Sequence, residues 1–451
     1  MGKIALSRNM YIAIGLLIII LVGILAYYYY YLPTTQHEEK TKIKIRWLFH
    51  WTSPIAQSYF QGIFNNFTKE YPNIEIEPIT VAGGELRTKF QTLHAAGQDP
   101  ECFHISVELL QEFVDAGMLD PAPDWIVEDI VANYPPQVVE AVTYKGRVWG
   151  YPTESGISAM IYNRWILQKA GISEPDPGGW TLEDWGNMMK ELKESGVCLW
   201  SGVYSLNDLA WPFWNYLIAD QGMWVSSDFK KVLWNTTVGI EIVRKLWEFY
   251  NVDQTVTMLS NAEIASAAAK GDIATIFLAA WLKSSIQPAL SDNPDRAREI
   301  FNANFSLCAF KGNLGSVVFH NCWFFGVGAG AQNKTAAWLF AKYMNSPKDY
   351  LGGASPIGYY SGVVNAVPTS RKSDREWLMA YSKEREPYIA KVVELVSKYG
   401  VPMTYFKGHS QIRAIFNARI QECLMDTTGF KREYIDKAVE EANQVLAQYY
   451  P

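Results

Sequence analysis

A chain of 451 residues, 49% of them hydrophobic, is long enough to bury more than one core, and two domains are expected. The net charge of -6 is spread along the chain without a basic stripe, which argues against nucleic acid as a partner. Cys102, Cys198, Cys308, Cys322 and Cys423 form no C-x-x-C pair, so neither a zinc site nor a disulfide framework is implied; they read as buried thiols, with one bridged pair left open.

In chain order, residues 10–32 are almost wholly apolar, no charge falls between Arg8 and His37, and the run ends in the tyrosines Tyr27 to Tyr31. That length spans a bilayer. Lys3 and Arg8 ahead of it favour a cytoplasmic N-terminus, with the tyrosines as an aromatic belt at the outer interface. No small-x-small site follows, so residues 1–32 are expected to stay as a transmembrane anchor, with a cleaved signal peptide as the competing reading. The polar residues 33–42 form a tether. Residues 43–49 then alternate as a strand, Ile55, Tyr59, Ile63, Phe64 and Phe67 recur at helical spacing, and 73–81 is a second strand. Strand, helix, strand at this spacing predicts a βαβ unit and a mostly parallel sheet.

The stretch 141–171, AVTYKGRVWGYPTESGISAMIYNRWILQKAG, turns at Lys145-Gly146-Arg147 and crosses through Gly150-Tyr151-Pro152. It then resumes as Met160-Ile161-Tyr162 and closes a helix at Gly171. Further on, Thr181 is a good helix N-cap with Glu183 and Asp184 in the first turn, and residues 434–450 are helical by periodicity. Gly326-Val327-Gly328-Ala329-Gly330-Ala331 satisfies G-x-G-x-x-A. Its acidic partner Asp349 follows a helix end and not a second strand, so a tight strand-to-helix turn is expected and no dinucleotide. P-loop, H-E-x-x-H and G-x-S-x-G motifs are absent, and no cofactor or metal is expected.

The unusual composition is aromatic: 17 Trp, 26 Tyr and 21 Phe suit a cleft that stacks on sugar faces, with carboxylates and amides at its edge to pair the hydroxyls. Trp51, Trp281 and Trp323 lie near strand ends or crossings, and Trp211 and Trp214 lie three apart on one helix face. Glu85 and Glu154 follow small residues at turn positions, and Tyr359 and Tyr360 fall in a glycine-flanked turn. His104 and His320, beside strand ends, read as structural. Asn66, Asn235, Asn304 and Asn333 each head an N-x-[ST] sequon.

The stretch 141–171 resembles the sugar-binding class of solute-binding proteins that serve ABC importers, the group containing maltose-binding protein. The match runs through Tyr144, Gly146, Arg147 in place of Lys, Trp149 in place of Tyr, Gly150, Pro152, Tyr162, Asn163, Ala170 and Gly171. It continues through Thr181 to Trp185, Ala265 to Lys283, and Pro368 with Arg371, and Trp281 falls at the family's cleft tryptophan. The resemblance implies an α/β, two-lobe periplasmic-binding-protein-like fold with discontinuous lobes, preceded by one N-terminal transmembrane helix. Residues 43–154 plus about 322–365 would form the N-terminal lobe and 155–321 plus about 366–451 the C-terminal lobe, with a hinge at 151–156 and a second crossing at 305–327. It also implies an extracellular, monomeric protein that captures a carbohydrate, an oligosaccharide, and presents it to ABC permease subunits. The alternative from another class is an extracellular glycoside hydrolase, which needs two close carboxylates with one pKa raised; nothing singles out such a pair among 46 acids. A sensor ectodomain is a third reading.

Overall fold

The computed structural model describes residues 8–31 and 42–451; Lys3, His37 and the tether residues 33–41 lie outside the described residues. The helix Arg8–Tyr31 has 24 residues, about 36 Å of length at 1.5 Å per residue. Its stretch Ile12–Tyr29 has mean hydropathy 2.5 and is wholly unburied, so it is long and apolar enough to cross a membrane; a signal sequence has the same properties.

Two sheets organise the rest. In the first, Ile43–Phe49 pairs in parallel with Ile74–Thr80, from Ile43 opposite Ile74 to Phe49 opposite Thr80. The connecting helix Pro54–Glu70 starts at Ser53, whose Oγ accepts the Ala56 N–H, with proline at the first helical position. The expected βαβ unit is therefore present. The buried stripe of that helix is Ala56, Phe60, Ile63, Phe64 and Phe67, while Ile55 is exposed, so the sequence reading placed the stripe slightly off its true face. Trp47 fills the middle of this layer, with Phe49, Phe60, Phe64, Phe325 and Phe340 centred 4.0 to 5.7 Å from it.

The second sheet runs in the order Val256–Leu259, Trp200–Ser205, Ile273–Phe277, Met160–Asn163, Phe305–Cys308. Its first three strands are parallel and the last two antiparallel to their neighbours. One face buries Trp185, Tyr204, Trp214, Trp224 and Trp234. The other buries Ile161, Val203, Ile264, Phe301 and Val392.

The chain passes between the sheets on strands that pair with each other. Tyr151–Ile157 runs antiparallel to Gly315–Gly328, with Ile157 opposite His320, Gly156 opposite Asn321 and Ser155 opposite Cys322. A third passage, 368–370, binds the first, Ser155 N–H donating to Pro368 O and Ser370 N–H to Thr153 O, both at 2.8 Å. Gly150 leads into the crossing because a Cβ there would lie 1.9 Å from the Phe324 ring.

Several local expectations change. Residues 305–327 are not one crossing strand, because Phe310–Gly312 and Gly315 close a hairpin ahead of the long strand. Glu154, His104 and His320 lie inside strands, not at turns or ends. Tyr359 and Tyr360 are helical, ending Pro356–Tyr359 and opening a π-helical turn, Tyr360–Val364. The G-x-G-x-x-A glycines serve close packing: Gly326 lies against Phe103 and Gly328 against Asp99. The five cysteines are free, four of them buried and Cys198 half-buried. Thr181 forms a full capping box with Asp184.

Candidate binding cleft

In parallel α/β sheets the loops beyond the carboxyl ends of the strands are where ligands gather, because those loops are free of the sheet's hydrogen bonds and meet at a crevice. Here those ends carry His50 and Trp51 after Ile43–Phe49, the Gly83–Glu85 turn after Ile74–Thr80, and Glu108 after Cys102–Ser106. From the second sheet come Asp208 and Trp211 after Trp200–Ser205, and Trp281 after Ile273–Phe277. The crossing strands set Gly156, Asn321 and Trp323 between the two groups.

The polar centre is shared by both sides. Glu108, 3% exposed at its side chain, accepts from the Arg413 guanidinium at 3.0 Å and lies 3.5 Å from His409 Nδ1; both partners belong to the helix His409–Met425. Burial alone would raise the Glu108 pKa, but the Arg413 charge and then His409 outweigh it and hold the carboxyl at about 2. Arg413 also stands 5.6 Å over the Trp211 ring. Burial pushes the Asp208 pKa up against the pull of Arg413, and its Oδ1 accepts the Ala210 and Trp211 N–H groups at 3.1 and 3.4 Å, opening the helix Ala210–Gln221. Asn321 donates to Ser106 Oγ at 3.3 Å. Its other amide atom, Oδ1, would sit 2.8 Å from a Cβ at Gly156, so this contact needs glycine.

Around that centre the buried atoms Trp211 Nε1, Asn321 Oδ1, His409 Nε2 and Ser410 Oγ have no hydrogen-bond partner among the described residues. Each such atom costs roughly 1–3 kcal/mol until something pairs it.

An aromatic group lies beside this centre. His50 is stacked on Trp323 at 4.5 Å and on His104 at 5.5 Å, and Trp51 meets His104 at 4.3 Å, Phe60 at 5.0 Å and Tyr360 at 5.1 Å. Burial, with His104 adding to it, holds the His50 pKa well below its ordinary value, so this imidazole stays neutral. His104 Nε2 is 3.0 Å from Thr153 Oγ1 and 3.4 Å from Glu154 Oε2, which has no hydrogen-bond partner.

Of the residues expected at a binding site, Trp51, Glu154, Trp323 and Tyr360 come together in the aromatic group, and Trp211 joins Glu108 and Arg413. Glu85 is exposed in the neighbouring turn, whose Gly83 borders His50. Trp281 is half-buried in the short turn Ala280–Leu282 beside the crossing strand Tyr151–Ile157. Trp214 is wholly buried and stacked on Trp224 at 4.0 Å, and meets His409 edge-on at 5.5 Å, so it backs the polar centre from within the core. Tyr359 turns away, stacked on Tyr59 at 5.9 Å and packed near Trp377. Glu108, Asp208, Asn321, His409 and Arg413 are additional. Glu108 and Asp208 were findable as acids just beyond strand ends, whereas no local signal marks Arg413. Among the described residues no group of three His, Cys, Asp or Glu side chains is placed to hold a metal ion.

The family model described as bacterial extracellular solute-binding protein matches residues 51–350. The chain belongs to this family. Within it, an uncharacterized ABC transporter extracellular-binding protein of Pyrococcus horikoshii is 29% identical over 192 residues, covering 41% of this chain and 43% of that relative. The maltotriose-binding protein of Pyrococcus abyssi is 25% identical over 179 residues, 39% of this chain and 37% of that relative. The matched stretches thus span less than half of these relatives. The fold is that of two-lobe binding proteins. A cycloalternan complex of an ABC substrate-binding protein from Listeria monocytogenes superposes with TM-score 0.75 at 19% identity, covering 90% of this chain and 99% of that one. The maltotriose complex of the Thermus thermophilus maltotriose-binding protein gives 0.70 at 17%, covering 89% and 99%.

Proposed function

We propose that this chain is the extracellular substrate-binding protein of an ABC importer and closes on a neutral carbohydrate, an oligosaccharide, between its two lobes. The observation that carries the reading is the set of buried, unpartnered donors and acceptors of Trp211, Asn321 and His409 around the Glu108–Arg413 pair, with Arg413 over the Trp211 ring. A sugar answers both features at once: its apolar face stacks on a ring and its hydroxyls donate and accept. Glu108 and Arg413, already neutralising each other, suit an uncharged ligand. The names of the maltotriose- and cycloalternan-binding relatives support the same ligand class.

On this reading the lobes are 43–154 plus about 322–365 and 155–321 plus about 366–451, and one chain supplies both halves of the site as a monomer. Trp211, Glu108, Asn321 and Arg413 form its floor; Trp51, Glu154, Trp323 and Tyr360 one wall; Glu85 and Trp281 the rim. The helix Arg8–Tyr31 acts as an uncleaved single-pass anchor, with the body on the extracellular side and ABC permease subunits as its partner.

Thermal unfolding of the full chain in mild detergent against a panel of mono- and oligosaccharides tests the reading, with each sugar analysed for cleavage afterwards. A sugar at a hundred times its Kd adds about 2.7 kcal/mol and raises Tm by at least about 2 °C. A shift with intact sugar is expected; cleaved sugar would make the chain a glycosidase, and no shift with any carbohydrate would overturn the ligand class.

A further inference from the structure

A second pocket, of about 480 Å³, lies on the far side of the second sheet from the cleft. It is lined at the amino-terminal ends of the strands Trp200–Ser205 and Val256–Leu259 by Trp200, Tyr250, Leu199, Gln254, Thr257 and Lys193. The cleft sits beyond the carboxyl end of the same strand, where Asp208 and Trp211 follow it. Six residues of strand set the two sites about 20 Å apart, so one ligand ring cannot fill both.

The chemistry of the lining is specific. Trp200 and Tyr250 are half-buried, their bodies held against the apolar cores while their edges reach the pocket. The Trp200 indole N–H and the Tyr250 hydroxyl make no hydrogen bond among the described residues, and neither do the Gln254 amide and the Thr257 hydroxyl. Leu199 is 66% exposed at the mouth. The floor is rigid. Gln254 is held at φ 52°, a left-handed backbone that a residue with a side chain rarely adopts. The flanking Asp253 is tied by Lys193 Nζ to its carbonyl at 2.6 Å and by Lys190 to its carboxylate at 3.0 Å, while Thr255 N–H donates to Phe249 O at 3.0 Å. Lys190 pairs with the Asp253 carboxylate, whereas Lys193, bonded to a neutral carbonyl, keeps its charge at the edge of the pocket.

We propose that this pocket is a second carbohydrate site, which holds a neutral polysaccharide chain at the surface of the protein independently of the cleft. Two amphipathic rings with free polar edges, an exposed aliphatic side chain and free amide and hydroxyl groups on a pre-set backbone match a chain of uncharged sugar rings, whose faces are apolar and whose rims are hydroxylated. The site does not depend on the cleft reading. Polysaccharide held there would keep the protein near the polymer from which shorter sugars are released.

Affinity electrophoresis tests this with the full chain in mild detergent, in native gels cast with a soluble α-glucan, a mixed-linkage β-glucan, a xylan or a mannan. Retardation of the native chain is expected in at least one gel. Trp200→Ala is expected to weaken it at least about tenfold, and Tyr250→Phe, which keeps the ring and the fold, about two- to tenfold for one lost hydrogen bond. Trp211→Ala is expected to leave it unchanged. No retardation in any gel, unaltered retardation of Tyr250→Phe, or loss confined to Trp211→Ala would overturn the proposal; the last result would assign the polymer to the cleft instead.

Discussion

Trp211 and Trp214 lie on the same helix, one turn apart, and meet opposite surroundings. Trp214 is wholly buried, stacked on Trp224 at 4.0 Å with Trp234 at 6.4 Å and Phe416 at 6.2 Å. Trp211 has a guanidinium over its ring, and a Cβ at Gly156 would lie 4.0 Å from its edge. Both indole N–H groups lack a partner, so the orphaned donor does not distinguish them. What does is the ring's neighbour. A ring enclosed by other rings contributes to stability, whereas the Trp211 ring carries on its face a guanidinium held by Glu108, beside the polar centre.

The largest effect expected is from Trp214→Ala, a loss of about 3–5 kcal/mol in urea unfolding as the stacked cluster loses its centre; a loss near zero would mean that Trp214 is not core. Next is acid. The Glu108 pKa is depressed from 4.5 to about 2, so its contribution is present above about pH 4.5 and is lost as pH falls through about 2. The native chain should therefore lose on the order of 3 kcal/mol across that window relative to Glu108→Gln, read as the difference between their stability–pH curves. Equal slopes would contradict the Arg413 pairing. Third, Trp211→Ala should weaken sugar binding at least about tenfold, about 1.4 kcal/mol, while unfolding less easily than Trp214→Ala. The smallest is Glu85→Ala at the exposed rim, which should change stability by no more than about 0.5 kcal/mol and leave only a modest mark on affinity.

Much of the architecture was legible in the residues. The crossing at 141–171 announced itself because Gly150 and Pro152 interrupt an apolar run that resumes at Met160, and the capped helix at Thr181 because its box is local. The first βαβ unit followed from spacing alone. The site was legible only in part. Trp51 and Trp323 were marked by their places near strand ends and crossings, and Trp211 only by sharing a helix face with Trp214. Trp214, at helical spacing from Trp211, was not separable from it, since only the second sheet's packing decides which of the two is enclosed. Glu154 looked like a turn acid because it follows small residues, yet the crossing strand carries straight through it. Arg413 lies 305 residues from Glu108, and a partner at that distance leaves no trace in local pattern.

The most direct test of a sugar bound at the Trp211 cleft is a calorimetric titration of whichever sugar raises the Tm into the full native chain, Trp214→Phe and Trp211→Ala. The account predicts one-site binding of similar affinity in the first two and at least about tenfold weaker binding in Trp211→Ala. Unchanged affinity in Trp211→Ala would place the sugar elsewhere and contradict it.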